Sequence, residues 1–146
     1  PWSYGAEADA AATAALKLRY RLIPYLHRAL QQSAASGLPV QRPMVLACPD
    51  DRAAWAFEDQ FFCGDDLLVA PCLRADGVVE VYLPAGDWVR FPGGGPAPGR
   101  GVRRLQLALD ETAVFARRGA RIPLGPDVEH CGGFDGRPPI ERWFEA

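Results

Sequence analysis

Apolar positions along the chain fall into two textures. Over Glu7 to Ser36 they recur at helical spacing, with Leu16, Tyr20, Ile23 and Leu30 on a stripe that Leu18, Leu22, Tyr25 and Leu26 widen. Glu7 and Asp9 stand where the positive end of a helix dipole favours carboxylates. A helix apolar around most of its circumference needs cover on more than one side. Pro24 lacks an amide hydrogen and its ring clashes with the preceding turn, which predicts a kink near Tyr20 to Ile23 or two helices meeting there. Gly37 and Pro39 end the helical pattern.

Val40 to Cys48 then reads as a strand, with Met44 to Cys48 continuously apolar as in a strand covered on both faces. Helix, short turn and buried strand together suggest one step of an α/β fold. From Leu67 onward short β candidates alternate with Gly and Pro: LLVAPCL, VVEVYLP, DWVRF, VRRLQLAL, AVFARR and ARIPLG. In VRRLQLAL, Val102, Leu105, Leu107 and Leu109 are expected largely on one face. Several strands with no helix between them point to an antiparallel sandwich. PGGGPAPGRG, Pro92 to Gly101, has the composition of a flexible surface loop. The chain closes on the strand-like IERWFEA, and both termini are expected to be cuts through a longer polypeptide.

Composition narrows the function classes. With 49% hydrophobic and 23% charged residues and a net charge of -2, the 146-residue chain carries no field that would draw nucleic acid or an anionic membrane. PWSYGAEADA has neither the basic start nor the apolar segment of a signal peptide. Cys48, Cys63, Cys72 and Cys131 form no C-x-x-C pair, which suits free thiols in a reducing, cytoplasmic setting and argues against zinc. A homo-oligomer is left open.

Candidate chemistry is sparse. His27 has no Cys, Asp or second His at ligand spacing, and His130 beside Cys131 lacks a second ligand pair, so no metal is expected. No glycine run leads from a strand into a helix as a phosphate loop would, so no nucleotide is expected, and without a G-x-S-x-G elbow a hydrolase triad has no convincing nucleophile. Glycoside cleavage needs two acids held about 5 Å apart or more, facing one sugar. The adjacent Asp65 and Asp66 do not suit that spacing, and after Gly64 they read as turn residues that satisfy backbone donors. Asp50 and Asp51 would follow the expected strand, at the end where a β/α barrel keeps its active site, although Pro49-Asp50-Asp51 is also a good turn. Trp55, Trp88 and Trp143 are candidate stacking platforms for a sugar, Trp88 being equally suited to core packing.

The succession LRYRLIPYLH, GLPVQRPM, PDD, DQFFCGDDLLVAPCL, VEVYLPAGDW and AVFARRGARIPLGP resembles the C-terminal part of glycoside hydrolase family 31, the α-glucosidases and α-xylosidases, with the α-xylosidase-like branch closest. The resemblance runs from Pro1 to about Pro126. It departs from the usual pattern at Gln41, where methionine is common, and in the proline-rich PGGGPAPGRG. It implies an α+β fragment: the last helix and strand of a catalytic (β/α)8 barrel over residues 1–62, a mostly antiparallel β-sandwich over 63–126, and a linker or the start of a distal domain over 127–146. It also implies a retaining α-glycosidase acting on an oligosaccharide or glycoside without metal or organic cofactor. The family's nucleophile and acid/base aspartates would belong to segments upstream of Pro1, so no catalytic residue is expected here and this fragment alone is expected to be inactive. Substrate-binding residues are not assigned. In that family GDDLLVAP opens the sandwich, and Asp65 and Asp66 are structural. The alternative is a noncatalytic carbohydrate-binding β-sandwich.

Overall fold

The computed structural model describes residues 2–93, 95–97, 99–108, 110–130, 133 and 140–143, the last four by their backbone. Two helices lead: α1 (Ala6–Arg21) and α2 (Ile23–Ser36). They meet at Leu22, as Pro24 requires, because its missing N–H is tolerated in a first helical turn and nowhere deeper. Gly37, at φ 77°, closes α2 in the left-handed conformation and donates its N–H to the Ser33 carbonyl at 2.8 Å. No helix among the described residues is long and apolar enough to cross a membrane.

The expected strand over Val40 to Cys48 forms differently. Only β1 (Gln41–Pro43) is extended, and Met44–Ala47 is a single helical turn, α3, closed by the Cys48 N–H on the Met44 carbonyl at 2.8 Å. Pro43 directly precedes the turn and Pro49 follows it, and a short apolar run has no periodicity to distinguish the two states. Met44 is buried, whereas Val45 and Leu46 are exposed, so the run is not covered on both faces. Moreover, β1 pairs antiparallel with β2 (Phe61–Cys63), which joins it to the β layer.

The remaining strands are β3 (Leu67–Ala70), β4 (Val78–Leu83), β5 (Trp88–Arg90), β6 (Pro96–Ala97), β7 (Gly101–Gln106), β8 (Ala113–Arg117), β9 (Arg121–Leu124) and β10 (Ile140–Trp143). All six segments expected from Leu67 onward contain a strand. A six-stranded antiparallel sheet runs β1-β2-β3-β8-β5-β6, β4 pairs with β7, and β9 pairs with β10. Thus β6 lies inside the expected loop, and residues 140–143, expected in a linker or distal domain, pair back onto β9.

Alternation gives the six-stranded sheet two apolar faces. Phe62, Leu68, Trp88 and Phe115 share a core with Val79, Val81 and Leu83 of β4, which makes a sandwich of the two sheets. Leu67, Val89 and Ala116 point the other way and pack with Tyr25, Ile122 and Leu124, with Leu18, Leu22 and Leu26 half-buried against them. Full burial of each large apolar side chain stabilises by about 1.5–3 kcal/mol. In β7 the expected face is corrected: Val102 is exposed while Leu105 is half-buried and Leu107 buried, because residues three apart lie on opposite sides of a strand.

Candidate functional site

The β2–β3 turn holds the paired aspartates. Gly64, at φ +65°, lets the chain reverse beneath Tyr25. The buried Tyr25 hydroxyl donates to the Cys63 carbonyl at 2.6 Å and accepts from the Asp66 N–H at 3.2 Å. Burial first, and then the neighbouring carboxylate, push its ionisation well above the ordinary tyrosine range. Each aspartate faces its own arginine: Asp65 Oδ1 lies 2.6 Å from Arg42, and Asp66 Oδ2 lies 3.3 Å from Arg28. Arg117 closes the turn from β8, its Nε donating to the Asp65 carbonyl and its N–H to the Asp66 carbonyl. Burial raises the Asp66 carboxyl above its ordinary value, a rise that the Arg28 charge opposes. These contacts tie α2, β1, β2, β3 and β8 together, the structural role read for GDD in the sequence.

Asp50 is exposed, and Asp51 enters a second network. The Tyr82 hydroxyl donates to Asp51 Oδ2 at 2.8 Å and accepts from Arg100 Nε at 2.7 Å, while Arg100 also contacts Asp51 Oδ1. Burial pushes the Asp51 carboxyl upward, but the hydrogen bonds from Tyr82 and Arg100 and the Arg100 charge outweigh it and hold the group below its ordinary value. The triangle fastens Arg100, just before β7, to β4 and to the turn after α3. Since β1 belongs to the antiparallel sheet, Asp50 and Asp51 do not stand at the end of a parallel barrel strand. Arg100 could not be foreseen as the partner of Asp51, because the two lie 49 positions apart in sequence.

The other candidates are separate. His27 and His130 are exposed, Cys131 lies outside the described residues, and no group of three or more metal-ligating side chains occurs among the described residues. Cys48, Cys63 and Cys72 are free; burial pushes the Cys48 and Cys63 thiols up, which keeps them protonated and poorly nucleophilic. Trp88 is 1% exposed, donates to the Pro84 carbonyl at 3.0 Å and carries the Arg117 guanidinium 4.7 Å from its ring centre. It is a core residue and offers no face to a sugar. Trp55 is 39% exposed beneath Arg52, and the Trp143 side chain lies outside the described residues.

Two clefts remain. One, of 400 Å³, lies beside β4 and is lined by mixed charges; no sequence motif singles out its residues, which are scattered from Ala56 to Arg104. The other, of 950 Å³, is a mainly apolar groove between α1 and the β3, β5 and β8 side of the sheet.

The sequence model described as "Glycosyl hydrolase family 31 C-terminal domain" matches residues 37–122. Among characterised proteins, a 1,6-alpha-glucosyltransferase of Sporosarcina globispora is 32% identical over 136 residues, which cover 90% of this chain and 11% of that protein. A GH31 dextranase of Flavobacterium johnsoniae, solved with glucose, superposes with a TM-score of 0.94 at 29% identity, over 99% of this chain and 18% of that one. A GH31 alpha-xylosidase from a soil metagenome, solved with xylose, gives 0.76 at 37% identity, over 82% of this chain and 18% of that one. The chain spans between 11% and 18% of the length of the curated relatives it matches. The matched segment begins at the end of α2 and takes in both sheets up to β9, and on this evidence the chain belongs to glycosyl hydrolase family 31 and carries its C-terminal domain.

Proposed function

We propose that this chain is the C-terminal part of a longer retaining α-glycosidase that hydrolyses α-glucosides or α-xylosides, and that it supplies scaffold while the catalytic acids come from other parts of the polypeptide. The observation that carries this reading is the small share of each relative that the chain spans. The acids support it: Asp51, Asp65 and Asp66 are each engaged by arginine, whereas a nucleophile and an acid/base must face one sugar about 5 Å apart.

The helices support the same division. α1 buries no residue, Leu16 and Leu30 are 53% and 58% exposed, and the apolar groove beside α1 lies open. Such a surface is stable when another layer covers it. We assign α1 and α2 to the last helix of a (β/α)8 barrel and place the boundary with the sandwich near Gly37, because β1 already belongs to the antiparallel sheet. The alternative, a carbohydrate-binding module with Trp55, Trp88 and Trp143 as stacking platforms, loses Trp88 to the core.

Proton NMR of the sugar released by the parent polypeptide tests the proposal. The α-anomer should appear first from an aryl α-glucoside or α-xyloside, and Asn in place of either acid of an upstream pair should lower turnover by several orders of magnitude. Initial release of the β-anomer, or no release, would overturn it.

A further inference from the structure

The cleft beside β4 has a chemistry that neither network above uses. Its 400 Å³ falls within the range of about 300–1,000 Å³ typical of small-molecule sites. Three acidic residues, Glu58, Asp59 and Glu80, and two arginines, Arg74 and Arg104, are among its lining residues. Glu80 and Arg104 are register partners across β4 and β7, which sets an acceptor beside a donor on one face. Arg74 also pairs with Asp76, which does not line the cleft. Phe57 lines the same space, half-buried, with its ring stacked on Tyr82 at 5.3 Å between centroids.

The edge of β4 adds backbone groups. Buried Gln60 donates to the Tyr82 carbonyl at 2.8 Å and accepts the Tyr82 N–H at 2.7 Å, capping the edge turned away from β7. Peptide groups alternate in direction along an antiparallel strand, so those of Glu80 and Val78 face that edge too. Asp76 takes the Val78 N–H at 3.0 Å. The N–H and C=O of Glu80 thus face the edge away from β7, on the strand that lines the cleft.

This set selects a ligand class. Three carboxylates disfavour an anion, two guanidiniums disfavour a cation, and no metal-ligating cluster occurs among the described residues. A neutral polyol fits, because each hydroxyl both donates and accepts, and the C–H face of a sugar ring can pack on Phe57. We propose that this cleft holds a neutral α-linked oligosaccharide without acting on it. The choice of sugar rests on the glycosidase reading above.

Isotope-edited NMR of the 146-residue chain titrated with isomaltotriose and maltotriose tests the site. Saturable amide shifts should appear at Phe57–Gln60 and Val78–Glu80. The exposed substitutions Glu80→Ala and Arg104→Ala should each weaken binding by about fivefold, the usual effect of losing one hydrogen bond, with melting temperature unchanged. Glu80→Gln, which keeps an acceptor, should bind more tightly than Glu80→Ala. Absence of saturable shifts, or equal binding by all variants, overturns the site. Glycosidase activity in the parent without sugar binding here defeats the site alone, whereas binding here with an inactive parent defeats the glycosidase reading alone.

Discussion

The Tyr25 hydroxyl occupies the space in which a side chain on Gly64 would begin: a Cβ there would lie 2.5 Å from Oη and 3.1 Å from Cζ. Gly64 also holds φ +65°, so Gly64→Ala meets both backbone strain and overpacking and should cost about 2–4 kcal/mol. Tyr25→Phe removes the bonds to Cys63 and Asp66 and should cost about 1–3 kcal/mol. Since removing the hydroxyl also removes the collision, the double variant should lose less than the sum of the two. Urea denaturation of the four proteins checks this, and strict additivity would contradict the contact.

Acid stability should depend on Asp51. Its folded-state ionisation lies below the ordinary value of 3.8, so its contribution is fully present above that value and fades as pH falls through the lowered one. Asp51→Asn and Arg100→Ala should therefore lower the melting temperature at neutral pH and flatten its decline below about pH 4. Asp66 works in the opposite sense, since burial raises its ionisation: its contribution is complete below the ordinary value and is lost as pH rises through the raised one. Melting curves across the acid range distinguish the two, and an unchanged acid slope in Asp51→Asn would remove Asp51 from the network.

Hydrogen exchange should divide the molecule. β3 and β8 lie in the interior of the six-stranded sheet with cores on both faces, whereas α1 buries no residue. Amides of Leu67–Ala70 and Ala113–Arg117 should exchange slowest, those of α2 around Tyr25 and Ala29 at intermediate rates, and those of Ala11 to Arg21 fastest. Equal protection of α1 and β8 would contradict the assignment of α1 to a surface that needs cover.

Sequence made most of the β layer legible, for a physical reason. Strands from Leu67 onward are bounded by Gly and Pro, and the break at Leu22 follows from Pro24 alone. The turn role of Asp65 and Asp66 was equally accessible, since Gly-Asp-Asp between apolar runs is local chemistry. Met44 to Ala47 was not, because four apolar residues after a proline fit a helical turn and a buried strand equally well. Val102 lies off the apolar face because it holds an even position, whereas Leu105 and Leu107 hold odd ones. The arginine partners were invisible for another reason: Arg28 to Asp66 and Arg100 to Asp51 span 38 and 49 residues, and only the closed fold brings them together. The cleft beside β4 shares that cause.

Turnover is the most direct test of the division between scaffold and catalytic parts. Aryl α-glucosides and α-xylosides should be assayed with the parent polypeptide, with the 146-residue chain alone, and with the chain carrying Asp51→Asn. The parent should hydrolyse at least one substrate, and the chain alone should not exceed the rate in buffer. Hydrolysis by the isolated chain that disappears in Asp51→Asn would contradict the scaffold role and place chemistry within these residues.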